Sequence, residues 1–157
     1  MDDRILADPG KPDFELEKYP FYLLNRLVSR YNGVIEPRLR AIGLDIPYWR
    51  VLMILGVDSP RGVREIAESA VIPLSTMTRI VQRMAVAGLV TLDPSTEDAR
   101  VTLVTILPLG QDKLTEARTA TSPIYARIIR GLTAEDFSGL IATLNRLHRN
   151  LEDAQNG

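Results

Sequence analysis

The sequence predicts a mainly α-helical protein with one small β-hairpin, an α+β class. Several stretches place apolar residues three, four and seven positions apart, which is the spacing of a helix with one buried face. The period changes over residues 89–107, where "LVTLDPSTEDARVTLVTIL" forms two β-branched runs around a polar turn. With 45% hydrophobic and 25% charged residues, the 157-residue chain has the composition of a globular protein rather than a disordered one.

The first part of the chain predicts an acidic, flexible tail. Residues 1–18 hold six acids and three bases and include two prolines and a glycine, a composition typical of a loose terminus. The remaining 16 bases and 14 acids give residues 19–157 a net charge of +2, although the whole chain carries −1. Because local charge governs docking on a polyanion more than total charge does, the acidic total does not exclude nucleic acid as a partner.

Two helices are predicted before the middle of the chain. A long apolar pattern begins at about Pro20, and Pro37 is expected to kink the helix that it forms. Gly43 has the position of a helix-ending glycine. Asp45 follows as the expected cap of a second helix, which carries Pro47 in its first turn.

A pair of short helices is predicted next, and its second member has an unusual polar face. The stretch "STMTRIVQRM", Ser75 to Met84, follows a short helical pattern over residues 63–70 and a tight connection. One face of the predicted helix is an apolar stripe. The opposite face contains hydroxyl, amide and guanidinium groups but neither an acid nor a lysine. The residues of this polar face are Ser75, Thr76, Thr78, Arg79, Gln82 and Arg83.

Two helices joined by a short turn and followed directly by a hairpin form a winged helix-turn-helix. In this arrangement the second helix can lie in the DNA major groove while the hairpin reaches the flanking minor groove. Short hydroxyl side chains allow close approach and can donate to phosphates, and Arg79, Gln82 and Arg83 are long enough to reach base edges or the backbone. The alternative interpretation is an ordinary solvated face that happens to lack acids.

The residue inventory disfavours an enzyme. The chain has no cysteine and only one histidine, His148, so thiol chemistry is excluded and a histidine-based metal site or triad is not expected. Neither a phosphate-binding loop nor a dinucleotide-binding glycine motif occurs. We therefore expect no cofactor and no metal. No apolar run is long enough to span a membrane and no signal peptide is visible, which predicts a cytoplasmic protein.

Three stretches of the chain match a known family: "GLDIPYWRVLMIL" at 43–55, "VREIAESAVIPLSTMTRIVQRMAVAGLV" at 63–90 and the wing-like "DARVTLVTILPLG" at 98–110. They resemble the MarR family of bacterial winged-helix transcription regulators. The resemblance extends over about residues 19–151. It implies a winged helix-turn-helix region at 46–107 and a helical dimerisation region made of 19–45 and 108–157.

The resemblance also assigns DNA-binding roles in the wing. Asp98 and Arg100 match the family's wing pair, in which the arginine enters or flanks the minor groove and the acid orients it. A simple ion pair closing the turn is the alternative. Arg61, before the helix pair, could contact a phosphate or could be an ordinary solvated arginine. Double-stranded DNA with a pseudo-palindromic operator is the expected partner.

The sequence also predicts a homodimer. The terminal helices carry more apolar surface than a small winged-helix core can cover, and this surplus favours an interface between subunits. The candidate interface residues are Tyr19, Phe21, Tyr22, Ile124, Tyr125, Ile128, Ile129 and Leu151.

By resemblance, the protein is expected to be a repressor released by a small aromatic or phenolic acid. Guanidinium groups for a carboxylate and aromatic walls could come from Tyr22, Arg26, Arg30, Trp49 and Arg50. Core packing of Trp49 and solvated arginines are the alternatives. A ligand-independent DNA-binding protein, or a winged helix that binds a partner protein, remains the competing functional interpretation.

Overall fold

A computed structural model describes residues 2–155 and confirms the mainly α-helical class with a small antiparallel sheet. The chain divides into two compact units, one ending at Ser122 and one beginning at Pro123. The helices in the described part are α1 Asp3–Leu6, α2 Pro20–Arg40, α3 Ile46–Val57, α4 Val63–Ala70, α5 Leu74–Val86, α6 Pro108–Ile128 and α7 Ala134–Gln155. The strands are β1 Arg61–Gly62, β2 Val90–Pro94 and β3 Thr102–Ile106.

The segment before α2 is more ordered than its composition predicts. It contains α1 and a 3-10 turn, and the Leu6 side chain is only 5% exposed. The backbone N–H of Glu15 donates to the Leu6 carbonyl at 2.8 Å, and Lys18 Nζ lies 2.8 Å from the Asp3 carboxylate. A buried leucine and a backbone contact between the two turns therefore order a segment whose acidity and prolines predict a loose tail.

The connection between α2 and α3 follows the predicted pattern. α2 runs through Pro37, and Gly43 adopts a φ of +79°, the left-handed conformation that a glycine after a helix supplies at little cost. The Asp45 carboxylate accepts the Tyr48 backbone N–H at 2.8 Å and caps α3. These two local signals fix where one helix ends and the next begins.

The core of the first unit lies where α3, α4 and α5 pack against the sheet. The predicted apolar stripe of α5 is buried, with exposures of 0% for Met77, 2% for Ile80 and 0% for Met84. Ile66 of α4 and Leu52 of α3 are also fully buried. Burial of this stripe fixes the rotation of α5, so its polar face points away from the core.

The sheet contains a strand that the sequence analysis does not predict. Its strand order is β1-β3-β2 and both pairings are antiparallel, with Val104 of β3 opposite Arg61 on one side and Leu92 on the other. β1 has only two residues, too few for a period-two pattern to be read. The Ser59 hydroxyl accepts the Ile106 backbone N–H at 3.0 Å and adds a further link between this segment and β3.

Gly110 has a different role from the predicted one. The sequence pattern predicts that Gly110 opens a helix, but α6 begins at Pro108. A Cβ at Gly110 would collide with the Leu89 carbonyl and would lie 2.9 Å from the Ile106 side chain. Glycine is therefore needed here because the helix backbone approaches the end of α5 and the sheet closely.

The second unit contains α7 and the last part of α6. The predicted capping box is present: Thr133 Oγ1 accepts the Asp136 backbone N–H at 3.1 Å, and the Asp136 carboxylate accepts the Thr133 N–H at 2.9 Å. None of the described residues of α7 is buried, and Leu140 and Ile141 are each 45% exposed. Among the described residues, no helix is both long and apolar enough to cross a membrane.

Candidate nucleic-acid interface

The polar face of α5 is exposed as its sequence predicts. Ser75, Thr76, Arg79, Gln82 and Arg83 are exposed, and Thr78 is half-buried. The apolar stripe on the other side of α5 is buried, so one face of the helix packs in the core and the polar face lies in solvent. The structure therefore presents a continuous acid-free surface to solvent along α5.

The hydroxyl groups of this face are not equivalent. Thr78 Oγ1 donates to the Leu74 carbonyl at 2.9 Å, so its proton is used within the helix and its oxygen remains available as an acceptor. Within residues 2–155 the side chains of Ser75 and Thr76 make no hydrogen bond, and both stay free to donate. The two hydroxyls at the start of α5 are thus better placed than Thr78 to donate to a phosphate.

The wing turn holds a two-point ion pair. Arg100 Nε lies 3.0 Å from Asp98 Oδ1 and Nη2 lies 2.9 Å from Oδ2, while the Arg100 backbone N–H also donates to Oδ1 at 3.0 Å. The Arg100 side chain is nevertheless 90% exposed. Hydrogen bonds from Arg100 hold the pKa of the Asp98 carboxyl below its ordinary value and raise the pKa of the guanidinium. The ion pair thus orients an arginine that remains accessible to an external partner.

A groove joins the wing to the helix pair. It has a volume of about 390 Å³ and includes Thr78 and Gln82 of α5 and Arg100 of the wing in its lining. Arg64 and Glu65, from the first turn of α4, line it as well. The structure therefore brings three of the predicted DNA-facing residues together and adds two that the sequence analysis does not single out.

The other predicted DNA-facing residues lie outside this groove. The Arg83 guanidinium lies over the Tyr48 ring, 5.8 Å from its centroid, and so links α5 to α3. Arg61 in β1 pairs with Asp58 at 3.3 Å, and its side chain is 32% exposed. Its charge is partly compensated, which makes it a weaker phosphate ligand than an unpaired arginine.

The five predicted effector residues do not form one site. Tyr22, Arg26 and Arg30 line an open surface of α2, where the Arg26 guanidinium lies 5.3 Å from the Tyr22 ring centroid. Trp49 and Arg50 instead line a separate cleft of about 600 Å³. The structure therefore brings Trp49 and Arg50 together in one cleft and places the other three residues on a different surface.

The second of these sites, here named the Trp49 cleft, lies among α2, α3 and the end of α4. The Tyr31 and Trp49 rings are 6.4 Å apart at 44°, and burial raises the pKa of the Tyr31 hydroxyl. Trp49 is 8% exposed, and its Nε1 atom has no hydrogen-bond partner among the described residues. The remaining lining residues are Val28, Arg50, Met53, Ile54, Ser69, Ala70 and Val71.

Comparison with known proteins places this geometry in a family. A family model described as MarR family matches residues 42–101. Over 145 residues the chain is 39% identical to the HTH-type transcriptional repressor IacR of Pseudomonas putida, covering 92% of this chain and 87% of that protein. The chain belongs to the MarR family.

Solved structures of MarR-family proteins share the fold. A transcriptional regulator from Silicibacter pomeroyi is 27% identical with a TM-score of 0.79, and the match covers 87% of this chain and 92% of that one. Bordetella bronchiseptica BpsR, whose structure concerns regulation of its DNA binding by 6-hydroxynicotinic acid, is 18% identical with a TM-score of 0.74, covering 86% and 96%. Membership in the MarR family confirms the prediction of a DNA-binding transcriptional repressor rather than an enzyme.

Several residues that line the groove and the Trp49 cleft are not indicated by any pattern in the sequence. Arg64 and Glu65 enter the groove because α4 and the wing meet through β1, a contact that no local pattern reports. Tyr31 and Met53 line the Trp49 cleft and resemble ordinary apolar-stripe residues in sequence. Their relation to Trp49 depends on how α2 packs on α3, which helical periodicity alone does not specify.

Proposed function

We propose that this MarR-family repressor binds a pseudo-palindromic operator as a homodimer and releases it when a small aromatic acid occupies the Trp49 cleft. The observation that carries the ligand response is a cleft of about 600 Å³ whose lining combines the Tyr31 and Trp49 side chains with Arg50. Aromatic walls with a few convergent polar groups are typical of small-molecule sites.

The DNA-binding part of the proposal is supported by the groove between wing and helix pair. Gln82 of α5 and Arg100 of the wing both line this groove, so one DNA segment can contact α5 and the wing at the same time. Amide and guanidinium groups form bidentate hydrogen bonds with purine edges in the major groove, and arginine suits a narrow minor groove. Gln82 and Arg100 thus have the chemistry for base and groove recognition.

The dimer is supported by apolar surface that the single chain leaves exposed. Leu140 and Ile141 are each 45% exposed and Leu151 is 50% exposed, all on α7. On α2, Phe21 is 40% and Leu27 is 59% exposed. Large apolar areas of this kind are typical of obligate interfaces. Analytical ultracentrifugation should give a dimer at micromolar concentration, and a stable 17.5 kDa monomer would contradict the dimer.

Chemistry of the Trp49 cleft favours a planar acid. Tyr31 and Trp49 supply aromatic walls, and Arg50 supplies a guanidinium. Guanidinium–carboxylate hydrogen bonds are charge-assisted and about twice as strong as neutral ones. A volume of about 600 Å³ accommodates a one-ring or two-ring acid. The Tyr22–Arg26–Arg30 surface offers a guanidinium too, but it is open and lies on one helix.

The test measures release of DNA by a panel of acids. A labelled duplex from binding-site selection is titrated with the protein, and then with benzoate, 4-hydroxycinnamate, 6-hydroxynicotinate and 2-naphthoate. At least one acid should weaken DNA binding. The response should be lost in Arg50→Met, which removes the guanidinium, and reduced in Trp49→Leu, which removes one aromatic wall. Arg26→Met distinguishes the two candidate sites, because its response should match that of the wild type if the Trp49 cleft is the site.

Two other outcomes separate the alternatives. DNA binding that no acid of the panel changes would favour a ligand-independent DNA-binding protein. Absence of salt-sensitive DNA binding would favour a module that binds a partner protein, because neutralising phosphates makes affinity fall steeply with salt.

A further inference from the structure

Arg50 in the Trp49 cleft is hydrogen-bonded to the end of α4, directly before the turn that leads into α5. Arg50 Nη1 donates to the backbone carbonyl of Ala70, the last residue of α4, at 3.3 Å. Carbonyls in the last turn of a helix lack intrahelical partners, and a cationic donor stabilises them. At 3.3 Å this bond is longer than the usual 2.9–3.0 Å of an N–H···O bond, so it is weak enough to be exchanged for a better acceptor.

The residue after Ala70 is strained. Val71 has φ 56° and ψ 48°, the left-handed conformation, and is 87% exposed. A β-branched side chain in this conformation costs about 1–2 kcal/mol, and glycine or asparagine is the usual choice. Two backbone bonds hold the turn, from Val71 N–H to the Glu68 carbonyl at 3.2 Å and from Ile72 N–H to the Ala67 carbonyl at 3.0 Å. The chain then enters α5 at Leu74.

The strained turn and the arginine line the same cleft. Ala70 and Val71 form part of the Trp49 cleft, so a ligand there would contact both the donor and the strained turn. A carboxylate is a stronger acceptor for a guanidinium than a neutral carbonyl is. Arg50 therefore has two competing acceptors whenever an acid enters the cleft, and the acid is the stronger of the two.

We infer that Arg50 is a positioning residue that clamps the α4–α5 turn, and that a carboxylate in the Trp49 cleft opens this clamp. The inference rests on the proposed function and specifies how the cleft acts on DNA binding. When the Arg50 guanidinium binds the acid, the Ala70 carbonyl loses its hydrogen-bond donor. The turn then loses a contact with α3 that compensates the backbone strain at Val71. The turn loosens, and α5 loses its fixed position. The acid acts because it binds the open turn more tightly than the clamped one.

The test compares full-length variants without ligand. In Arg50→Met, amide hydrogen exchange at Val71 and Ile72 should rise about 5- to 10-fold, and DNA affinity should fall by a similar factor, as expected for loss of one hydrogen bond. Adding Val71→Gly removes the left-handed strain, so the double variant should recover most of both losses. Arg38→Met removes the same charge from an exposed position of α2 and should change neither reading. Circular dichroism and melting temperature establish that each variant is folded.

Each result decides the inference. Unchanged exchange at Val71 and Ile72 in folded Arg50→Met overturns the clamp, and so does a double variant no better than Arg50→Met. An acid of the panel that binds near the chain's single tryptophan, as seen in its fluorescence, should raise wild-type exchange to the level of Arg50→Met. Binding without this rise overturns the carboxylate step. If none of the four acids binds, the proposed effector response fails, whereas the clamp is still judged from the ligand-free variants.

Discussion

Arg100 and Asp98 form a two-point ion pair at the wing turn, with the Arg100 backbone N–H as a third contact to the same carboxylate. The carboxylate fixes the guanidinium without burying it, since the Arg100 side chain stays 90% exposed. The two interpretations of this pair from sequence, a turn-closing bridge and a DNA-contacting arginine, are therefore compatible. Arg100 can close the turn and still remain accessible to a groove of DNA.

Arg100→Ala should weaken operator binding by about 1–3 kcal/mol, the range for a lost specific contact. The physical reason is loss of a pre-oriented cation at the edge of the groove. Fluorescence anisotropy on the selected duplex measures the change. Arg38→Met serves as a control for loss of one positive charge. Wild-type affinity in a folded Arg100→Ala dimer would show that the wing arginine does not contact DNA.

The Asp98 carboxyl should titrate below its ordinary pKa, chiefly because its charged form accepts side-chain hydrogen bonds from Arg100. A group with a lowered folded pKa adds stability that is present above its unfolded pKa and lost as the pH falls through the folded pKa. The Asp98–Arg100 ion pair should therefore break only at a pH below the ordinary pKa range of aspartate. Carbon-13 NMR of the carboxyl in wild type and Arg100→Ala measures this. Identical titration midpoints in the two proteins would refute the coupling.

The polar face of α5 should divide into two classes of residue. Gln82→Ala and Arg79→Ala should relax preference at particular operator bases, because both side chains project from the exposed face and Gln82 also lines the groove. Arg83→Ala should weaken all sequences alike and reduce the salt slope by about one phosphate contact, since Arg83 lies over Tyr48 beside α3. Binding-site selection with the three variants is the measurement. The same base preference in all three would mean that α5 does not read the groove.

Gly110→Ala should destabilise the fold by about 1–3 kcal/mol, the typical cost of overpacking. The added methyl group would collide with the Leu89 carbonyl, and backbone cannot move aside as a flexible side chain can. Gly33→Ala is the matched control: a Cβ there meets nothing within 4 Å, and alanine in a helix interior stabilises by about 0.5–1 kcal/mol. Urea denaturation gives both values. A Gly110→Ala protein as stable as wild type would mean that α6 can shift to accommodate the methyl group.

Local signals in the sequence predict most of the fold. Gly43, Asp45 and the Thr133–Asp136 capping box act within a few residues of themselves, so their structural outcome follows from sequence. The α5 stripe is equally local, because helical spacing alone determines which side chains share a face. For this reason the sequence predicts which side chains of α5 face solvent.

Features that depend on packing between distant segments were not predictable. β1 exists only because β3 offers an edge to Arg61 and Gly62, and Leu6 is buried in a segment whose composition indicates a tail. The separation of Arg26 from Arg50 likewise reflects how α2 and α3 pack. Residue type identifies a guanidinium suited to a carboxylate, but only the fold decides which one faces a cleft.

The central position of β3 constrains how this protein could change its DNA target. Both edges of β3 are hydrogen-bonded, to β1 directly before α4 and to β2 directly after α5, so the base of the wing cannot tilt independently of the helix pair. The sheet thereby sets the distance between the contacts proposed here for the major groove and the minor groove. Insertions or deletions between Pro94 and Thr102 alter how deeply the wing reaches while leaving that distance intact. Divergence in recognition among descendants of this chain should therefore accumulate at the wing tip and on the outer face of α5, and not in the strands that connect them.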